Sequence, residues 1–219
     1  MKYYNIVLKK ILSQIDSQEY QEVNKDTEQG KVDRNHCLEV VEITKKLWEE
    51  QENTQTPEAI LIAALTHDSD RLYPRRQVDT KNLPKEHYGY RKGIHSGNTA
   101  LIFLELNIND LPITLIRDVC HLILRHERGG DKDKNNNTIT KIDEYTNSYN
   151  LNKAANILYY ADKISFFTSN IYEYQKRGEE KLKQKILFST KDLPNNIKQK
   201  IKDLDYKDLN VKKIIEEII

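Results

Sequence analysis

Apolar residues recur along this chain at three- and four-residue spacing, the period of a helix rather than of a strand. The pattern predicts helices over about 3–22, 34–51, 57–67, 93–106, 111–127, 151–175, 177–187 and 195–217, the last of them broken. Pro57 and Pro112 stand where a first helical turn tolerates proline. Gly129-Gly130 is expected to close the helix that ends near Arg128. No run alternates strictly between apolar and polar residues, and no internal repeat is visible. The predicted fold class is all-α.

Two segments break the pattern. Residues 69–92 hold Pro74 and Pro84 and are long for a plain connection. From Arg71 to His95 this stretch carries Arg71, Arg75, Arg76, Lys81, Lys85, Arg91 and Lys92 against only Asp79 and Glu86, so it is either a substrate-facing loop or a solvated one. The other segment, 129–150, is rich in Asn and Asp, with Asn135-Asn136-Asn137 at its expected tip.

Polar residues that fall on apolar faces carry the chemistry. At about 100° per residue, His36 lines up with Val40, Ile43 and Leu47, and His126 with Leu115, Val119 and Leu122. Asp162 shares a face with Ala155, Leu158, Phe166 and Ser169, and His95 with Thr99, Ile102 and Leu106. His67-Asp68 ends the most apolar helix of the chain. One such histidine is more often a hydrogen-bonded core residue than a ligand. An unpaired buried carboxylate, however, costs many kcal/mol and has to be paired or metal-bound. Four histidines and two aspartates turned inward from five helices are most economically explained by one shared site, in which cations neutralise the carboxylates and take imidazole nitrogens. His121 falls about 140° from His126 and His87 lies in the basic loop, so neither is placed in that site.

Imidazoles with carboxylates and no thiolate suit Mn, Fe, Co, Ni or Zn. Six ligands on one ion would leave no open position, whereas six shared by two ions leave room for water and substrate. Cys37 and Cys120 are read as buried core thiols of a reducing compartment, too few for a disulfide framework.

Composition narrows the setting. The 219 residues hold 35 Lys+Arg and 34 Asp+Glu, and a net charge of +1 argues against a general nucleic-acid coat. The apolar run from Ala59 to Leu65 is too short to span a bilayer. Lys2, Asn5, Lys9 and Lys10 interrupt any signal-like start. A soluble, cytoplasmic protein is expected, with no membrane partner.

With these residues in view, the chain resembles the HD-domain superfamily of metal-dependent phosphohydrolases. The matching strings are DRNHCLEVVEITKKL around His36, AALTHDSDR around His67-Asp68, GIHSGNTAL around His95, LILRHERGG around His126 and YYADKIS around Asp162. Their order, H…HD…H…H…D, runs over about 30–170, two-thirds of the chain. The resemblance implies a helical bundle, a single HD-type domain over 1–219 with its core at about 30–175 and appended N- and C-terminal helices. It implies His36, His67, Asp68 and Asp162 as the shared metal ligands, with His95 and His126 the extra pair of dinuclear members. Two divalent ions would then be bridged by Asp68, with a hydroxide between them as nucleophile. Arg71, four positions after His67, would hold a phosphate oxygen, unless it forms a surface ion pair with Asp70 or Glu86. Arg128 and Lys163 are further substrate-binding candidates, although Lys163 is equally read as snorkelling to solvent. Arg125 stands where the cyclic-di-GMP phosphodiesterase branch has the first His of its HHE motif, and no Gly-Tyr-Pro follows, so that specificity is not expected.

The leading expectation is hydrolysis of a phosphomonoester or phosphodiester, a nucleotide or related phosphorylated small molecule. The same ligand pattern occurs in HD-fold di-iron oxygenases that act on small polar organic substrates; an HD-type nuclease is a third reading, and the complete ligand set argues against a regulatory module that has lost activity. Nucleic acid is the less expected partner on charge grounds. The pattern leaves the choice of metal and the oligomeric state open.

Overall fold

The computed structural model describes residues 1–23, 27–73, 88–106, 108–131 and 149–219, the side chains of 27–29 and 88–92 excepted. The expectations placed on Arg75, Arg76, Lys81, Lys85, His87 and Asn135–Asn137, and on the side chains of Arg91 and Lys92, lie outside the described residues. Among the described residues every regular element is helical, as the apolar spacing requires. They divide into two compact units, Met1–Tyr159 and Tyr160–Ile219.

The first unit is built around a helix with no polar side. Helix α4 (Glu58–Thr66) is buried at every position from Ala59 to Thr66. Such a helix must be covered all round. Helices α1 (Lys2–Ile15), α3 (Thr27–Glu52) and α6 (Ile113–Arg125) supply the cover. From α1 come Val7, Ile11 and Ile15, four residues apart. From α3 come Val40, Thr44, Leu47 and Trp48. His36 and Asp33 lie on the same buried stripe of α3, as the spacing predicted for His36. A 3₁₀ turn, Ser69–Leu72, follows α4, and α5 (Tyr88–Glu105) packs on both that turn and α6.

Several boundaries differ from the sequence expectation, each for a local reason. The helix expected over 3–22 breaks after Ile15, because Ser17 Oγ accepts the Tyr20 N–H at 3.2 Å and caps a second helix, α2 (Gln18–Val23). Helix α3 begins at Thr27 rather than 34, and α5 at Tyr88 rather than 93. Pro57 and Pro112 are the N-cap residues of α4 and α6, one position outside the first turn. Cys37 is buried, but Cys120 is only half-buried, so the reading of both as core thiols holds for Cys37 alone.

Beyond α6 the chain is pinned by short, specific bonds. Gly129 takes a left-handed backbone (φ 77°), and its N–H closes on the Arg125 carbonyl at 2.8 Å. The Gly130 and Asp131 N–H groups then donate to Asn156 Oδ1 (2.9 Å) and Asn152 Oδ1 (3.0 Å) of α7 (Leu151–Ser165). Arg125 grips the Asp131 carboxylate with both terminal nitrogens.

In the second unit, the helix expected over 151–175 is interrupted by a wide π-type turn at Phe166–Asn170 before α8 (Ile171–Gln175). Thr168 and Ser169 both donate their hydroxyls to the Ser165 carbonyl there, which competes with the helical ladder. Helix α9 (Glu179–Thr190) is followed by α10 (Asn195–Lys202) and α11 (Leu209–Ile218), the predicted break falling where Asp208 caps α11. Leu182, Ile186, Ile197, Ile201, Val211 and Ile215 form this unit's apolar interior.

The close approach at Gly130 generates a prediction. A Cβ there would sit 2.2 Å from the Asn152 carbonyl oxygen, a backbone atom that cannot swing aside. Gly130→Ala is expected to destabilise the protein by about 1–3 kcal/mol, an overpacking penalty. Urea denaturation that places it level with the wild type would show that α6 and α7 are not tied at this point.

Candidate metal centre

Two helices end in the same way. His67 is the C-cap of α4 and His126 the C-cap of α6. Each folds back to donate its Nδ1–H to the carbonyl three residues earlier, His67 to Ala64 at 2.8 Å and His126 to Ile123 at 2.6 Å. At α6 the Ile123 carbonyl also accepts the His126 backbone N–H at 3.3 Å, so main chain and ring close the helix end together. The ring bond also fixes the tautomer, because a neutral ring that donates through Nδ1 presents Nε2 as a lone pair.

Asp68 follows His67 directly, and its carboxylate divides the surrounding rings between its two oxygens. His95 Nε2 lies 2.9 Å and His126 Nε2 3.7 Å from Oδ1. His36 Nε2 lies 3.4 Å and His67 Nε2 3.7 Å from Oδ2, and the Arg71 guanidinium reaches Oδ2 at 2.8 Å. The His36 and His67 Nε2 atoms are 3.2 Å apart, close enough to share one proton or one cation. Asp68, His67 and His126 are buried, and His95 is open to solvent at its edge. Asp68, His95 and His126 each offer a ligand atom within 4.8 Å of the others.

This donor set fits a divalent transition ion. Two ring nitrogens are held as lone pairs by backbone bonds, the anion between the rings is buried, and all the ligand atoms are nitrogen or carboxylate oxygen. Burial and the nearby Asp68 charge push the Cys37 thiol up to about 12, and Cys37 offers no ligand atom to the group formed by Asp68, His95 and His126.

The remaining expected residues are placed as follows. Arg71 pairs with Asp68, and its side chain is 51% exposed. Arg128 is exposed on the turn after His126. Asp162 and Lys163 lie on the last turn of α7, in the second unit, and pair with each other at 2.8 Å, so Lys163 does not snorkel away. His121, on α6, is half-buried and contributes no ligand atom to the group around Asp68.

One residue escaped the sequence reading. Asp70, on the 3₁₀ turn, holds His95 Nδ1 at 2.7 Å through Oδ2. The sequence offered it only as an ion-pair partner for Arg71. Its position two residues after Asp68 and buried beside α5 depends on the turn, which apolar spacing does not reveal.

Electrostatics follow from this crowding. Burial would raise the Asp68 carboxyl, but Arg71, His67, and the hydrogen bonds from His36 and His95 outweigh it and hold the group well below the usual carboxylate range. Burial would lower His95, yet its bonds to Asp68 and Asp70 carry it up to about 10.

The HD domain family model matches residues 34–166, a stretch that takes in every proposed ligand from His36 to Asp162. No curated protein and no solved structure gave a match. No helix among the described residues is long and apolar enough to cross a membrane.

The shifts define a pH window for the metal-free protein. The elevated His95 value stabilises the fold below its ordinary 6.5, and that contribution is lost as pH rises toward about 10. The depressed Asp68 value stabilises above its ordinary 3.8 and is lost as pH falls. Urea unfolding of chelator-treated protein should therefore show the cluster's full contribution between about 3.8 and 6.5. His95→Ala should flatten the alkaline slope, and an unchanged slope in that variant would contradict the assignment.

Proposed function

This chain belongs to the HD domain family, and from that premise we propose that it is a metal-dependent phosphohydrolase acting on a small phosphorylated compound, a nucleotide or a relative of one. The family is in general one of metal-dependent hydrolases, and the clustered His and Asp residues suit a divalent ion. The observation that carries the proposal is the division of imidazoles around Asp68, two on each carboxylate oxygen. That arrangement suits a carboxylate shared by two ions, one beside His36 and His67, the other beside His95 and His126. Asp162 is a further ligand candidate on the sequence pattern alone.

Bound ions would supply Lewis-acid chemistry, making a water more acidic and neutralising charge that develops on a phosphoryl oxygen. The chain's own groups do the rest. His67 and His126 enter the site with their tautomers already fixed, so little reorganisation is needed when the site loads. Arg71 stands half exposed at the edge of the buried cluster, where a phosphate arriving from solvent would meet a planar guanidinium. Arg128 lies exposed two residues beyond His126, a second cation for the remainder of a phosphorylated substrate. Lys163, paired with Asp162, is the weaker candidate for that task.

Manganese- or iron-loaded protein should release nitrophenolate from bis-nitrophenyl phosphate or inorganic phosphate from nucleotides, and chelator should stop it. Arg71→Ala should lower kcat/KM by about 10- to 100-fold, the loss of a charge-assisted hydrogen bond worth about 1.5–3 kcal/mol. His121→Ala should leave turnover near the wild type. The reverse ranking would place the substrate elsewhere. Oxygen uptake on a polar organic substrate by iron-loaded protein, with no phosphate release, would replace hydrolysis by an oxygenase reaction.

A further inference from the structure

The three histidines with a visible Nδ1 partner are not equivalent. His67 and His126 spend that N–H on neutral backbone carbonyls of their own helices, at 2.8 and 2.6 Å. His95 instead gives it to a carboxylate from another element, Asp70 Oδ2, at 2.7 Å. Its other nitrogen faces a second carboxylate, Asp68 Oδ1, at 2.9 Å. One ring thus stands between two buried carboxylates, one on each nitrogen.

Chemistry decides what such a ring is for. With Nδ1–H donated to Asp70, the neutral ring turns a lone pair on Nε2 toward the lone pairs of Asp68 Oδ1. Two lone pairs at that distance repel, so a positive charge belongs near them, a proton or a metal ion. A carboxylate behind a histidine makes its far nitrogen a stronger donor than a carbonyl does and stops the ring from turning. The 3₁₀ turn makes this possible, because it carries Asp68 and Asp70 to the two ends of a ring that α5 brings alongside.

We infer that Asp70 is a positioning residue of the metal centre, whose carboxylate orients His95 and strengthens its Nε2 as a ligand for the ion that Asp68 and His126 also hold. The inference rests on the metal reading above but not on the identity of the substrate. It distinguishes the two halves of the cluster, since the ion on the His36–His67 side has no such support from Asp70. A plain structural role, in which Asp70 merely ties α5 to the turn, would affect folding and leave metal affinity alone.

Cobalt(II) titration of metal-free protein, followed by its visible d–d absorption, separates these roles. Asp70→Asn keeps an oxygen acceptor of the same size and removes the charge, and thermal melting followed by circular dichroism checks that the variant folds. The expected result is about a 10- to 100-fold weaker affinity for one class of bound cobalt, with its absorption band altered and the other class unchanged. In a His95→Ala background the same substitution should add nothing further. Equal affinities for Asp70→Asn and wild type, or an undiminished effect of Asp70→Asn in the His95→Ala background, would overturn the role assigned to Asp70 alone. Wild-type protein that takes up no cobalt, manganese or iron would overturn the metal reading and this one together. Should Asp70→Asn fail to fold, the nitrogen-15 shifts of His95 in zinc-loaded wild type decide: a protonated Nδ1 with Nε2 shifted by the metal supports the role, and a protonated Nε2 overturns it.

Discussion

A single buried carboxylate sets the terms for the rest of this protein. Asp68 is 5% exposed, and an ionised carboxylate so far from water is tolerated only if positive charge and hydrogen-bond donors surround it. Five groups surround it: Arg71 supplies a positive charge, His36 and His95 supply hydrogen bonds, and His67 and His126 turn Nε2 toward the same anion. They come from α3, from the ends of α4 and α6, from the 3₁₀ turn and from α5, so five elements of the first unit converge on one anion. A carboxylate of this kind favours whatever cation fits among the rings, and divalent metal binding follows from it more directly than from any one histidine.

The helices place these groups by ordinary means. Helix α4 is apolar on all sides and therefore sits at the centre, which carries its C-terminal His67-Asp68 to the middle of the unit. Helix α6 packs against α4 and ends with a histidine in the same cap geometry. At both ends the histidine's Nδ1–H bonds a carbonyl of the helix it closes, and that bond sets the ring tautomer. Arg125, Gly129, Gly130 and Asn156 then fix the strip of chain just after His126.

Much of this was legible in the sequence, and the residues show why. His36 and His126 fall on apolar stripes that a 3.6-residue period reveals, and both are buried. The fold class followed from the same period. Other features depend on bonds that periodicity does not encode. Ser17 splits the first helix by capping α2, and Thr168 and Ser169 widen the turn after α7. Asp70 was missed because its meaning lies in a partner 25 residues away, brought near by packing between the turn and α5. The Arg71–Asp68 pair was not legible either, because it is the turn that brings that carboxylate within 2.8 Å of the guanidinium.

The central claim is that Asp68 joins two imidazole pairs into one dinuclear site. Metal content per chain, measured after anaerobic reconstitution with manganese or iron, tests it most directly. The account predicts about two ions per wild-type chain, and one or fewer in Asp68→Ala with helical circular dichroism retained. Two ions bound by Asp68→Ala as tightly as by the wild type would contradict it.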